Sequence, residues 1–211
     1  MSESTANKRF KTFLILGAPG SGKGTQGKVL GAIPRFHHLA CGDVFRSLDT
    51  RTALGQRFVE YSSRGDLVPD DVTVELWRAN IKQQVEAHIF KPEIDFLVLD
   101  GIPRNEDQAR YMEGDIEVLQ LFHLSCPDRT ELARRLRKRA LKDNRFDDAS
   151  ETVIQKRFET YEAETKPILS YYGPDRVTEI DASQPPAKVL FDILEKVMKL
   201  EAWKELAKQV I

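Results

Sequence analysis

The chain has 211 residues, 41% of them hydrophobic and 31% charged, which is enough to bury a substantial core in one globular domain. Lys and Arg total 32 against 33 Asp and Glu, and the formal net charge of -1 argues against a general nucleic-acid binder. No uncharged stretch approaches the roughly 20 residues that cross a bilayer, so no membrane association is expected.

The first eleven residues, MSESTANKRFK, carry an early Glu3 and lack the apolar segment that a secretion signal requires. This stretch is therefore predicted to be a disordered tail. The two cysteines, Cys41 and Cys126, indicate neither a disulfide framework nor a four-ligand zinc site. A reducing, cytoplasmic location is expected.

Short apolar runs alternate with longer helical patterns along the chain. The first four of these runs are mostly apolar rather than alternating, as expected of strands that are covered on both faces. The predicted strands are 12–16, 36–40, 95–100, 119–124 and 176–181. Alternation of strands with helices indicates an α/β fold with a parallel sheet.

Helix signals lie between and after these strands. A helix is predicted over 70–88, with Asp70 or Asp71 as its cap after Pro69. Two more are predicted over 128–141 and from about Ser150. The final segment, 200–211, is predicted to be an amphipathic helix that packs on the domain and has no chemical role. His37 and His38, within the second strand, are expected to pack rather than to bind a ligand.

The segment GAPGSGKGTQ, residues 17–26, follows the first strand and leads into a helix. Gly17, Gly22 and Lys23 match the glycine-lysine core of a phosphate-binding loop. In such a loop, backbone N–H groups, the positive end of the helix and the lysine hold phosphates. A flexible glycine-rich turn is the alternative. The general pattern has Ser or Thr directly after the lysine, but Gly24 precedes Thr25 here, which leaves a metal role for Thr25 open.

Charged residues follow the next two predicted strands. Arg46, in CGDVFR, lies in the first turns of the helix after the second strand. Asp100, in DGIPRNEDQ, ends the third strand, where a carboxylate beside a phosphate loop is placed to hold hydrated magnesium. A simple turn at Asp100-Gly101 is the alternative. Arg104 is expected to face the same crevice.

Arginines crowd the segment ARRLRKRALKDNR, residues 133–145. Such a run is usually a solvated face or a nucleic-acid patch. Arg135 and Arg139, however, stand four residues apart on one helix face, and Arg157 follows on the next helix. Because the planar guanidinium suits phosphate binding, this helix–loop–helix is predicted to be a lid that closes on phosphates.

In combination these motifs resemble the adenylate kinases, within the nucleoside monophosphate kinase family. The resemblance covers Phe13 to about Leu194 and rests on GAPGSGKGTQ, CGDVFR, GDLVPDD, DGIPRNEDQ and RFDD…KRFETY. It implies a single P-loop kinase domain over 1–211, with a five-stranded parallel sheet flanked by helices. It also implies an AMP-binding helical insertion at 41–70 and a short lid at 139–149 that lacks zinc. The expected activity is that of a monomer transferring the terminal phosphoryl group of ATP to AMP with Mg2+, giving two ADP.

The resemblance also implies roles for individual residues. The catalytic set is Lys23, Arg104, Arg139, Arg145 and Arg157. ATP would be bound by Gly20, Ser21, Gly22, Lys23, Gly24, Thr25, Arg135 and Gln184, with Arg135 stacked on the adenine. AMP would be bound by Cys41, Arg46, Leu67, Val68, Gly101, Arg104, Gln108, Arg145 and Arg157. Asp100 would contact the magnesium through water.

Two positions depart from the family pattern, since Cys41 replaces a common Thr or Ser and Gln184 replaces a frequent Lys. Cys41 has two interpretations: a thiol made reactive by the helix end and Arg46, or a small packing residue. Three other functions stay open. They are a UMP/CMP-type kinase, which usually carries Asn at the position of Gln108, a nucleotide-binding regulatory module, and an RNA-binding protein that uses residues 134–145.

Overall fold

The computed structural model describes residues 9–64, 66–143 and 150–208. The strands are β1 (Phe10–Gly17), β2 (Phe36–Ala40), β3 (Phe96–Asp100), β4 (Ile116–Ser125) and β5 (Val177–Asp181). The helices are α1 (Lys23–Gly31), α2 (Cys41–Arg46), α3 (Ala53–Arg64), α4 (Asp70–Glu86), α5 (Glu106–Met112), α6 (Arg129–Asp143), α7 (Glu151–Thr160), α8 (Ile168–Tyr172), α9 (Pro186–Lys199) and α10 (Glu201–Lys208). A π-helical turn, Tyr161–Thr165, lies between α7 and α8.

The five strands form one parallel sheet in the order β2-β3-β1-β4-β5. Alternate residues of β1 belong to two separate core clusters, with Phe13 and Ile15 in one and Leu14 and Leu16 in the other. Since successive strand side chains point to opposite faces, these clusters are the helix-covered cores on the two sides of the sheet. The predicted fold class is confirmed.

All five predicted strands are present, and two are longer than predicted. β1 begins at Phe10, so Phe10 and Lys11 belong to the sheet rather than to the predicted tail; residues 1–8 lie outside the described residues. β4 begins at Ile116, where its first residues pair with the start of β1. The pairing of Phe10 with Ile116 extends both strands beyond their apolar runs.

The predicted cap of α4 is wrong. Pro69 occupies the cap position, and no side chain caps this helix end. The Asp70 carboxylate instead accepts hydrogen bonds from the Asn105 and Gln108 side-chain amides. A capping interaction would need the same Asp70 carboxylate oxygens, which are bonded to Asn105 and Gln108 instead.

Helix α10 and His37 pack as predicted; residues 209–211 of the predicted final helix lie outside the described residues. In α10, Trp203 stacks on Phe36 and Phe96, with ring centroids 5.4 and 6.0 Å apart. His37 stacks on Phe90, with centroids 4.9 Å apart. Among the residues that the structure describes, no helix combines the length and the apolar character needed to cross a membrane.

Candidate active site

A cleft of about 1030 Å³ opens where the carboxyl ends of β1, β2 and β3 meet the first turns of the helices that follow them. This edge of a parallel α/β sheet is where such folds bind ligands. The predicted site residues that line the cleft are Gly20, Ser21, Gly22, Lys23, Gly24, Thr25, Arg46, Leu67, Val68, Asp100, Gly101, Arg104, Arg135, Arg139, Arg157 and Gln184. Arg145 lies outside the described residues.

The loop between β1 and α1 has a backbone that only glycine adopts readily. Gly20 has φ of 85°, and a side chain there would meet the Leu132 carbonyl oxygen at 2.7 Å. Gly22, with φ of 98°, is the cap residue of α1. Both values lie in the left-handed region, which favours glycine. The Ser21 hydroxyl is buried in this loop and has no hydrogen-bond partner among the described residues. An unsatisfied buried hydroxyl beside a helix N-terminus fits an anion site.

Lys23 stands at the centre of the cleft's positive charge. Its ammonium donates to the carbonyl oxygens of Gly17 and Ala18, at 2.8 and 3.1 Å. Burial lowers the pKa of Lys23 to about 8, while Asp100 raises it and three arginines lower it further. Those arginines are Arg139, Arg157 and Arg104. Several cations thus lie around Lys23 in one cleft, and this concentration of positive charge suits the binding of phosphates.

Asp100 ends β3 next to the phosphate loop. It is 9% exposed, and its Oδ2 lies 3.4 Å from where a side chain on Gly24 would begin. Thr25 lines the same part of the cleft. Within the described residues no group of three or more His, Cys, Asp or Glu is arranged to hold a metal ion. A single carboxylate fits Mg2+, which is commonly held by one or two carboxylates together with substrate phosphates and water.

Two further arginines are held in place by protein oxygens. Arg46 donates to Asp43 at 2.6 Å, three residues earlier on α2. Arg104 donates from Nε to the Gly101 carbonyl at 2.8 Å. Each interaction fixes the guanidinium while leaving other N–H groups to bind a ligand.

The opposite end of the cleft contains Arg135, whose guanidinium bonds to the Glu131 carboxylate at 2.8 Å and to the Ala182 carbonyl at 3.0 Å. Hydrogen bonds from Arg134 and Arg135 lower the pKa of Glu131 to about 2. Gln184 donates to Asp192 at 2.8 Å. The planar Arg135 side chain is thereby oriented, as a stacking platform for a base requires.

Two predicted AMP-binding residues, Cys41 and Gln108, do not line the cleft. Cys41 is 2% exposed, and burial raises the pKa of its thiol to about 11 although Arg104 and Arg46 act in the opposite direction. The prediction of a reactive thiolate is therefore wrong, because desolvation outweighs both cations. The packing interpretation of Cys41 holds.

Gln108 is fully buried, with both ends of its amide hydrogen-bonded. Its Oε1 accepts from the Arg104 backbone N–H at 2.8 Å, and its Nε2 donates to Asp70 at 2.7 Å. The side chain thus lies behind the cleft wall. Sequence reasoning missed Asp70 and Asn105. The spacing of Asn105 and Gln108 was a usable signal, since Asn followed three residues later by Gln is typical of a helix start, and Asn105 indeed accepts from the Gln108 N–H at 2.8 Å.

Comparison with known proteins agrees with this arrangement. The family model described as "Adenylate kinase" matches residues 15–177. The chain is 35% identical to the adenylate kinase of Cyanothece sp., over 90% of this chain and 97% of that protein. It is 36% identical to the adenylate kinases of Thermobifida fusca, covering 83% and 92%, and Thermus thermophilus, covering 75% and 81%. The chain therefore belongs to the adenylate kinase family of nucleoside monophosphate kinases.

Proposed function

We propose that this protein catalyses the reversible transfer of the terminal phosphoryl group of ATP to AMP, giving two ADP. The observation that carries the proposal is the convergence of cations from separate elements on one cleft. Lys23 comes from α1, Arg46 from α2, Arg104 from the loop after β3, and Arg139 and Arg157 from α6 and α7. A protein that only binds one nucleotide has no need of a second phosphate clamp.

The donor nucleotide is assigned to the phosphate loop. Residues 20–25 and the N-terminus of α1 would hold the ATP phosphates, with Lys23 on the terminal one. The buried Ser21 hydroxyl supports this assignment. At the far end, Arg135 and Gln184 would hold the adenine, because Arg135 is already oriented by Glu131 and Ala182.

The acceptor is assigned to the other side of the cleft, where Arg46 and Arg104 would clamp the AMP phosphate. Asp43 is bonded to Arg46, so the incoming phosphate would compete with that carboxylate for the guanidinium. Leu67, Val68 and Gly101 would contact the nucleoside. Gln108 would read the base. Because Gln108 is fully buried, this contact requires the residues covering it to shift when AMP enters.

Mg2+ is proposed to accompany ATP, held through water by Asp100, with Thr25 nearby. When bound it would neutralise charge on the donor phosphates. The protein's own contribution is alignment and positive charge. The bond between the terminal phosphorus and its bridging oxygen breaks, and a bond to an AMP phosphate oxygen forms. The charge that shifts between them would be stabilised by Lys23, Arg104, Arg139 and Arg157.

No covalent intermediate is needed in this scheme. Its main hazard is hydrolysis, because water in the cleft would compete with AMP for the phosphoryl group. The insertion at 41–70 and the lid at 139–149 are proposed to exclude water when both nucleotides are bound. Residues 144–149 of this lid lie outside the described residues.

A coupled assay with ATP-Mg2+ and a panel of AMP, CMP, UMP and GMP tests the function. We expect ADP formation with the highest kcat/KM for AMP. Equal use of CMP and AMP would support the pyrimidine kinase alternative, and ATP binding without ADP formation would support the regulatory module. Arg46→Ala should raise KM for AMP and leave KM for ATP within about twofold, because a clamp on one substrate is removed.

A further inference from the structure

Three polar side chains behind the acceptor side of the cleft form a closed hydrogen-bonded ring. Asp70 accepts from Gln108 Nε2 at 2.7 Å and from Asn105 Nδ2 at 2.9 Å. Asn105 in turn accepts from the Gln108 backbone N–H at 2.8 Å. The ring joins the first residue of α4 to the first turn of α5.

The ring determines which way the Gln108 amide faces. Its oxygen meets the Arg104 backbone N–H, a group that only donates, and its nitrogen meets the Asp70 carboxylate, which only accepts. Rotating the amide by half a turn would set donor against donor and acceptor against acceptor. Asp70 itself is fixed by Asn105, whose Nδ2 lies 2.9 and 3.0 Å from the two carboxylate oxygens.

We infer that Asp70 is a specificity-determining, positioning residue: by locking the Gln108 amide, it makes the acceptor site select 6-amino over 6-oxo purine nucleotides. The inference rests on the proposed role of Gln108 as the reader of the acceptor base. After these contacts to Arg104 and Asp70, the Gln108 amide can still accept one hydrogen bond at Oε1 and donate one from Nε2. Adenine offers an amine that donates and a ring nitrogen that accepts, which matches that pair. A 6-oxo purine offers the opposite pattern.

The orientation of the Gln108 amide depends on the Asp70 carboxylate. Asp70 does not cap α4, and the charged acceptor binds the amide hydrogen more strongly than a neutral one would. An amide at position 70 can donate as well as accept, so it would tolerate the reversed Gln108 amide. The Arg104 N–H would still favour the original orientation, and selectivity should therefore fall rather than disappear.

Asp70→Asn tests the lock, with kcat/KM measured for AMP, IMP and CMP. IMP differs from AMP in the pairing edge alone, and CMP presents the same donor–acceptor order as AMP on a smaller ring. We expect the AMP-to-IMP ratio to fall about tenfold, the AMP-to-CMP ratio to change less than about twofold, and KM for ATP to stay constant. Ratios measured on one preparation are unaffected by the fraction of protein that is folded.

Asp71→Asn is the matched control, because Asp71 is the exposed neighbour on the same helix turn. It should leave both ratios unchanged. Asp70→Asn should have no further effect on the AMP-to-IMP ratio when Gln108 is already Ala, since the lock then has nothing to hold.

The outcomes separate the lock from the role of Gln108. An unchanged AMP-to-IMP ratio in Asp70→Asn, with a collapsed ratio in Gln108→Ala, overturns the lock and leaves Gln108 as the reader of the base. An unchanged ratio in both variants overturns the role of Gln108 itself. A fall of equal size in the presence and absence of Gln108 shows that Asp70 acts by another route, which also overturns the lock.

Discussion

The Arg104 backbone and side chain are each tied to the protein. The backbone N–H donates to Gln108, and Nε donates to the Gly101 carbonyl. The guanidinium is therefore presented to the cleft with few alternative positions, which lowers the entropy lost when it binds a phosphate.

Arg104→Ala should lower kcat about 10³-fold, because an arginine that stabilises charge in phosphoryl transfer has at least that effect. The melting temperature of this variant should change little, because the Arg104 side chain is only half-buried in the unaltered protein. Arg110→Ala is the control, because Arg110 lies on the adjoining helix and pairs with Glu106 away from the cleft. A loss below about tenfold, or about 1.4 kcal/mol, would be too small for a central charge clamp.

Cys41 should resist alkylation in the folded protein. Burial raises the pKa of the thiol to about 11, so the reactive thiolate is scarce at pH 8, and the side chain is 2% exposed. We expect iodoacetamide to label Cys41 only as fast as the protein opens, and rapidly after denaturation. Labelling of the native protein at the rate of a free thiol would show that the side chain is accessible after all.

Sequence patterns predicted the strands well because strands covered on both faces are mostly apolar and therefore stand out from the helical patterns around them. The run at 36–40 corresponds to β2 without change. The errors occur where pairing rather than apolarity determines the element, as in the extra residues at the starts of β1 and β4. In the site, the glycine loop and the arginines were recognisable from motifs.

Other features of the site depend on contacts between distant segments. Asp70 resembled a helix cap in local sequence, and only the approach of Asn105 and Gln108, 35 and 38 residues away, shows its other role. Local charge favoured a thiolate at Cys41, whereas its burial among residues of a core cluster decides the opposite.

Helix α10 is expected to contribute stability and no chemistry. Trp203→Ala removes the stacking on Phe36 and Phe96 and should cost about 2 kcal/mol, or about 4–8 °C in Tm. Activity at 25 °C should stay within about twofold, because Trp203 does not line the cleft. The control is Phe191→Ala in α9, which should leave Tm nearly unchanged because the Phe191 side chain is 56% exposed. A drop in activity at constant Tm would contradict a purely structural role.

The concentration of positive charge in the cleft opposes the folding of the ligand-free molecule. Burial lowers the pKa of Lys23 in the folded protein to about 8, from its ordinary value of 10.5. Between these values the unfolded chain binds more protons, so stability rises with pH across this window and the cost is fully present below pH 8. The burial of a charged Lys23, which its proposed role requires, thus reduces the stability of the protein.

Lys23→Met should therefore abolish activity and raise Tm at pH 7. The lowered pKa of Lys23 corresponds to at most about 3–4 kcal/mol of destabilisation. Loss of the Lys23 hydrogen bonds to Gly17 and Ala18 offsets part of the gain in the variant. We expect a rise of about 2–4 °C at pH 7 that shrinks as pH increases from 8 to 10.5. Melting curves across pH 6–10.5 measure this, with Lys28→Met, an exposed lysine of the same helix, as control. A variant less stable than wild type at pH 7 would contradict the assignment.

The strand order also has a consequence for the newly made chain as it leaves the ribosome. β1 is synthesised first, yet it lies between β3 and β4, and the glycine loop that follows it packs against the backbone of Leu132 in α6. Until β3, β4 and Leu132 have emerged, β1 lacks the two strands that pair with it, and the phosphate loop lacks the backbone against which Gly20 packs. The nascent chain thus carries its nucleotide-binding motif long before α6 has been translated, and only then can the nucleotide site be completed.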